Sequence, residues 1–408
     1  MEAEIISVGT ELLLGDVVDT NAAYIAGKLS PLGIDLFRKT VVGDNKERLS
    51  RILKGALDRV DLIITNGGLG PTEDDLTKEV ISEVMEEKLI VDEEIAKNIK
   101  RRFSSKNLPE KAIIKQALIP SSAKIIANES GSAPGIILEK KSKIIISLPG
   151  VPREMKKMME GVSSYLSKKE EGKERIKSRF LKIWGIGESQ VEEKIADILK
   201  EQSNPTIALL AKEGEVHLRI TAKFDDRKVR ERKIKESEDK IRERLGDYIY
   251  GVDEETLESL ASSSLRKRDL KLGVAESCTG GLLSHRLTNI PGSSNYYNCG
   301  VVSYSNQAKS ELLNIFPSFI QEKGAVSSEV AEKMAEGAKK AAKADIGIGI
   351  TGIAGPTGAT PEKPVGLVYI ALSTQDKKIS QKFIFSGNRE KIKWKASQAA
   401  LYLLYKSI

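Results

Sequence analysis

Apolar positions in the first seventy residues switch between two periods. Ala3 to Val8 is a short apolar run and reads as a strand. Leu49, Ile52, Leu53, Ala56 and Leu57 recur at helical spacing, and Leu62 to Thr65 is apolar again. Between these lie a helix capped by Thr20 and ending near Pro31 and Gly33, and an alternating strand from Ile34 to Val42. Gly9 to Gly15 reads as a polar, glycine-bounded turn. The order β-α-β-α-β predicts a parallel sheet with right-handed crossovers, which we place in a domain at residues 1–168.

Residues 168–177 are a mixed charge run that reads as a linker. A strand at Phe180 to Trp184, a helix from Glu188 to Lys200, a strand at Val216 to Ala222 and a charged helix from Asp226 to Leu245 follow. This unit, at 175–250, has too little strand for a large sheet. A second linker, Tyr250 to Glu255, leads to a domain at 255–408 in which strands and helices alternate again. The predicted fold is therefore α/β: two three-layer α/β/α domains with parallel-rich sheets, joined by a small α+β connector.

Length and composition narrow the class. The 408 residues allow two to four domains at roughly 100 to 200 residues each. Apolar runs such as Ile207 to Ala211 fall short of the ~20 residues of a membrane span. Glu2 and Glu4 precede the first apolar stretch, where a secretory signal would be basic, so a cytoplasmic protein is expected. Two cysteines and two histidines supply neither a disulfide framework nor a structural zinc site. The net charge of +7 permits anionic ligands. It gives no argument for nucleic acid, since Ala222 to Asp247 carries 10 basic and 8 acidic residues rather than a basic stripe.

The last domain holds the most specific chemistry. Leu270, Leu272 and Val274 alternate as a strand and run into Glu276-Ser277-Cys278-Thr279-Gly280-Gly281, after which a helix begins. A serine at a strand-to-helix turn sits where free N–H groups converge, which suits an oxyanion hole; a plain turn with Ser277 as helix cap is the alternative. In Tyr304 to Lys309 a strand breaks into a helix at Ser305 or Asn306, so Lys309 lies near a helix start, where the dipole disfavours an ammonium. A neutral lysine can serve as a base. His217 belongs to the connector and His285 lies two turns beyond Ser277, so a Ser/Lys pair fits the inventory better than a histidine triad. The loop Thr351-Gly352-Ile353-Ala354-Gly355-Pro356 follows another strand and could cradle a phosphate, with Arg389 as an added cation.

In these segments, together with Lys363 to Gly366 and Ser386 to Arg389, residues 255–408 resemble the nicotinamide mononucleotide deamidase domain of the CinA family. The resemblance implies hydrolysis of nicotinamide mononucleotide to nicotinic acid mononucleotide and ammonia. It implies Ser277 as nucleophile, Lys309 as general base and Tyr304 as an assisting hydroxyl. Thr279, Gly280 and Gly281 would donate N–H groups to the oxyanion. Glu276, Thr351, Gly352, Gly355 and Arg389 would bind or orient the nucleotide. Cys278 competes as a nucleophile, since a thiol at a helix start can be acidic, but a buried filler is preferred.

In the first domain, Thr65-Asn66-Gly67-Gly68-Leu69-Gly70-Pro71-Thr72-Glu73-Asp74-Asp75 joins a strand to the helix starting near Leu76. Three glycines expose donors for a phosphate, whereas Asp74 and Asp75 would repel it unless a divalent cation bridges the two. Helix capping by one aspartate is the plainer reading. This domain resembles the MoaB/MogA molybdopterin-binding fold found at the front of CinA proteins. Further matches are Thr10, Glu11, Asn21, the Asn128 to Gly135 loop with Gly131 and Ser132, and Pro149 with Gly150. The resemblance implies a nucleotide or pterin pyrophosphate held by Thr10, Glu11, Asn21, Gly67, Gly68, Gly70, Thr72, Gly131, Ser132, Pro149 and Gly150. It also implies Mg²⁺ or Co²⁺ at Asp74 and Asp75, K⁺ as a further cation, and in some members hydrolysis of ADP-ribose. The middle unit resembles the family's KH-type connector through Trp184 to Ser189, without a Gly-x-x-Gly loop.

Three function classes follow: an amidohydrolase with a second phosphoester-cleaving domain, a molybdopterin- or nucleotide-binding scaffold, and a competence or DNA-repair adaptor. The residues give the third no support. A homodimer is the expected assembly.

Overall fold

A computed structural model describes residues 1–102, 108–169 and 175–408, so half of the linker expected at 168–177 lies outside the described residues; the rest closes helix Pro152–Lys169 and opens strand Arg175–Ile183. The chain forms two compact units, Met1–Ser178 with Ala222–Lys233, and Arg179–Thr221 with Ile234–Ile408.

The first unit is built on a six-stranded sheet in the order Asp35–Val42, Glu2–Val8, Leu62–Asn66, Lys143–Leu148, Gly135–Lys140, Lys124–Ile126. The first four strands are parallel and the last two add antiparallel. Side-chain alternation divides the central strand between two layers. Ala3 and Ile5 pack with helices Thr20–Leu29 and Pro152–Lys169, through Ile25, Met155 and Met159. Ile6 and Val8 pack with helices Lys46–Arg59 and Thr77–Val84, through Leu49, Leu53 and Val80. Burial on both faces explains why these strands read as apolar runs rather than as strict alternation.

Two local expectations fail here. Gly9 to Gly15 is a short helix, Thr10–Leu14, closed by Gly15 in the left-handed region, with Thr10 N and Oγ1 both donating to Asp44. Asp19 rather than Thr20 caps the next helix, because its carboxylate accepts the Ala22 amide at 2.9 Å.

The second unit carries a five-stranded sheet in the order Tyr297–Val302, Leu272–Glu276, Ile346–Gly352, Leu367–Ser373, Lys378–Ile384. The first three strands are parallel and the last two antiparallel. Helix Ser328–Ala341 covers one face at close range, because Gly273, Gly347 and Gly349 face it. A Cβ on Gly347 would fall 1.9 Å from the Ala335 carbonyl oxygen. Helices Leu257–Lys267, Leu282–Thr288 and Arg389–Ser407 cover the other face over Val274, Ile348 and Ile370.

The connector holds more strand than its pattern suggested: a four-stranded sheet in the order Thr206–Lys212, Glu215–Phe224, Arg175–Ile183, Ile249–Val252. The stretch expected to be a linker from Tyr250 begins as its edge strand. The expected single helix divides at Ile195 into Glu188–Lys194 and Ala196–Glu201. Among the described residues no helix is long and apolar enough to cross a membrane.

Candidate active site

Strand Leu272–Glu276 lies between two parallel neighbours and delivers its last residue, fully buried, to the carboxyl end of the sheet. The turn that follows leads to helix Leu282–Thr288 through Gly280 (φ 62°) and Gly281 (φ 93°), backbone that other residues rarely adopt. Glu276 closes this turn from inside. Its carboxylate accepts from Gly281 N (3.1 Å), Leu283 N (3.0 Å), Ser284 N (2.8 Å) and Ser284 Oγ (2.6 Å). A carboxylate at a helix start satisfies orphan amides and complements the dipole. Glu276 is therefore a brace of the turn and not the substrate contact the resemblance implied.

The oxyanion donors also need correction. Gly280 N donates to Ser277 O at 3.1 Å, and Gly281 N is taken by Glu276. Among the described residues, the turn amides without a protein acceptor are those of Cys278 and Thr279. Of the expected trio only Thr279 keeps its N–H, and its buried Oγ1 also has no partner.

Ser277 sits at the mouth of this turn, 8 % exposed. Strand Tyr297–Val302 turns into helix Asn306–Leu313 at Ser305, whose side chain accepts Ala308 N. The fourth residue of that helix, Lys309, points inward and is buried. Its Nζ lies 3.1 Å from Ser277 Oγ, 3.0 Å from Ser303 O and 3.3 Å from Tyr304 O. Burial lowers its pKa. A neutral amine has two N–H donors and one lone pair. The two carbonyls can take the donors and leave the lone pair facing the Ser277 hydroxyl. Cys278 is buried beside it, and burial pushes its thiol up to about 12, so it stays protonated and poorly nucleophilic.

Arg389 joins the remaining pieces. Its Nη1 donates to Gly355 O at 2.7 Å and its Nη2 to the exposed Tyr304 hydroxyl at 2.6 Å. Thr351 is buried and spends its hydroxyl hydrogen on Ala325 O. A Cβ on Gly352 would meet Leu367 O at 2.6 Å, so the neighbouring strand runs close against this loop. His285 pairs with Asn289, and His217 with Glu215; neither contacts Ser277. Two residues escaped the sequence reading. Ser303, buried, presents its carbonyl to Lys309, and Lys393 places Nζ 3.6 Å from where a Gly280 Cβ would stand. The signal for Lys393 was its position one helical turn after Arg389.

In the first unit the structure gathers Asn21, Asn66, Pro149 and Gly150. Asn21 Nδ2 donates to Asn66 Oδ1 (2.9 Å) and Gly150 O (2.7 Å), and Asn66 Nδ2 to Pro149 O (2.7 Å). Gly67 packs beneath them with φ 106°, where a Cβ would sit 2.1 Å from Val8 O, and Thr77 Oγ1 donates to its carbonyl. A Cβ on Gly68 would collide with Thr77 Oγ1. Gly131 and Ser132 belong to a separate loop, pinned by Asn128 Oδ1 and Gln116 Nε2. Thr10 is tied to Asp44, and Glu11 folds back beside Gly9.

The cation expected at Asp74 and Asp75 meets a different arrangement. Asp75 accepts both the amide and the hydroxyl of Thr72, and it crowds Gly70. The nearby Thr72 hydroxyl, whose hydrogen goes to Asp75, also holds the exposed Asp74 carboxyl below its ordinary range. Among the described residues no three His, Cys, Asp or Glu side chains converge as metal ligands. Asp75 has Oδ2 engaged by Thr72, while Asp74 is exposed beside it.

Comparison with known proteins gives the family of the chain. Three family models match: "CinA C-terminal domain" at residues 254–408, "Probable molybdopterin binding domain" at 4–168 and "Damage-inducible protein CinA KH domain" at 178–251. A competence-damage inducible protein of Caldicellulosiruptor saccharolyticus is 49% identical over 410 residues, covering 100% of this chain and 99% of that one. The chain belongs to the CinA family. A CinA-like protein of Dictyoglomus thermophilum is 48% identical over 410 residues, with 100% and 99% covered. Among solved structures, the CinA protein of Thermoplasma acidophilum is 36% identical and covers 40% of this chain and 97% of its own, with a TM-score of 0.39. CinA membership, a MoaB-like first domain and a KH-like connector are thus established for this chain.

Proposed function

We propose that the second unit of this CinA protein is a Ser/Lys amidohydrolase that converts nicotinamide mononucleotide and water to nicotinic acid mononucleotide and ammonia. The observation that carries this reading is the buried Lys309 amine 3.1 Å from Ser277 Oγ, with no histidine or carboxylate hydrogen-bonded to either among the described residues. Neutral Lys309 removes the hydroxyl proton as Ser277 Oγ attacks the carboxamide carbon. The amides of Cys278 and Thr279 stand at the turn where the oxyanion develops, a position at which aimed donors are worth several kcal/mol. Protonated Lys309 then gives its proton to the departing nitrogen, and ammonia leaves. The resulting ester is cleaved by a water that Lys309 deprotonates, and the proton returns to Ser277. The test is ammonia release from nicotinamide mononucleotide by the full chain, expected for the wild type and absent in Ser277→Ala. No release from the wild type refutes the reading.

For the first unit, the hydrogen bonds that tie the Asp75 carboxylate to Thr72 favour binding of a nucleotide or pterin over metal-dependent cleavage. AMP formed from ADP-ribose by the full chain with Mg²⁺ or Co²⁺, and not in their absence, would reverse that preference.

A further inference from the structure

Helix Arg389–Ser407 begins beside the serine turn, and two cations one turn apart, Arg389 and Lys393, lie on its side facing that turn. Arg389 is already committed to Gly355 O and the Tyr304 hydroxyl. Lys393 is not. Among the described residues its neighbouring lysines have partners, Lys391 the Glu213 carboxylate and Lys395 the Ser386 carbonyl, whereas no acceptor or carboxylate is paired with Lys393. Its Nζ stands 3.6 Å from the position of a Gly280 Cβ, against the same turn that bears Ser277.

We infer that Lys393 is a specificity-determining residue that binds the phosphate of the substrate, so that the site selects a nucleotide over the corresponding nucleoside. The inference rests on the amidohydrolase reading for the identity of the substrate, but the anion site itself does not depend on turnover. Gly280 N donates to Ser277 O, so ammonium and nucleophile flank a single tight turn. A substrate carrying a carboxamide and a phosphate would need both groups, one to meet the nucleophile and one to meet the ammonium. An ammonium on a flexible stem suits a phosphate as a mobile point charge, while Arg389 holds the loop and Tyr304 in place.

The test compares nicotinamide mononucleotide with nicotinamide riboside on the full-length wild type, Lys393→Met and Lys393→Arg, by calorimetric binding and by ammonia release. Wild type should bind the nucleotide at least tenfold more tightly. Lys393→Met should lose that preference by weakening the nucleotide alone, and Lys393→Arg should keep most of it. Equal binding of the two ligands by wild type, or equal losses for both in Lys393→Met, overturns the inference. Preferential nucleotide binding without ammonia release would leave the anion site standing and remove the amidase reading instead. Thermal unfolding of Lys393→Met within a degree or two of wild type shows that the loss is not one of folding.

Discussion

Lys309 Nζ and Ser277 Oγ lie 3.1 Å apart although they are 32 residues apart in the chain, because adjacent parallel strands end side by side and each hands its functional residue to the same edge. Neither side chain could hold this position alone. The serine is set by a turn that Glu276 closes, and the lysine by the Ser303 and Tyr304 carbonyls that receive its N–H groups. The pair places an alcohol and a base in a space that water barely enters.

Ser277→Ala should abolish ammonia release, a loss of about a thousandfold or more, as expected when a nucleophile is removed. Cys278→Ala should retain most of it, because burial keeps that thiol protonated. Initial rates on nicotinamide mononucleotide decide the matter. The reverse pattern would make the thiol the nucleophile.

The rate should depend on pH in a direction fixed by Lys309. Its pKa is lowered by burial and the neutral form is the active one, so kcat should rise with pH through that pKa and then level off. Lys309→Arg, which cannot lose its proton near neutrality, should be as inactive as Lys309→Met. A kcat that falls as pH rises toward 10, or substantial activity in Lys309→Arg, would show that the amine is not the base.

Much of this arrangement was legible in the chain, for identifiable reasons. The strands ending at Glu276 and Val302 announce themselves because apolar runs meet glycine or capping residues, and Ser277 and Lys309 sit at those junctions. What could not be read was where hydrogen bonds go. Glu276 turns inward to cap its own helix, which engages the Gly281 amide that the resemblance had given to the oxyanion. Thr72 likewise draws in Asp75, and the pattern Thr-Glu-Asp-Asp does not distinguish an aspartate held by a neighbouring threonine from one open to a cation. The connector's edge strand at Ile249–Val252 was missed because it is four residues long and contains a glycine, so no alternation could develop.

Glu276 offers a test of the brace itself. Glu276→Ala leaves the Gly281, Leu283 and Ser284 amides without their acceptor, and unmet buried donors cost about 1 to 3 kcal/mol each. The protein should lose at least about 3 kcal/mol of stability in the second unit on that arithmetic. Glu276→Gln keeps an acceptor oxygen and should lose less while still lowering kcat through a looser turn. Denaturant unfolding followed by tryptophan fluorescence is suitable, since both Trp184 and Trp394 lie in this unit. Unchanged stability in Glu276→Ala would mean that the turn is set by its glycines alone.

Lys78 provides a test in the first unit, away from the proposed chemistry. It is 1 % exposed and donates to the Lys115 and Gln116 carbonyls at 3.0 and 2.9 Å, at the end of helix Glu110–Ala117. Burial lowers its pKa from 10.5 to about 8. Below pH 8 the ammonium is present in both folded and unfolded chains, and folding bears the full cost of burying it. Between pH 8 and 10.5 the unfolded chain holds the proton and the folded one does not, so this residue's contribution becomes more favourable as pH rises. At about 1.4 kcal/mol per unit the gain is on the order of 3 kcal/mol by pH 10.5. Lys78→Met has no such group. The stability of wild type minus that of Lys78→Met, from urea unfolding of the full chain, should therefore increase by about that amount between pH 8 and 10.5. A difference that stays constant over this interval would show that Lys78 keeps its proton when buried, with the two helix-end carbonyls compensating for the lost water.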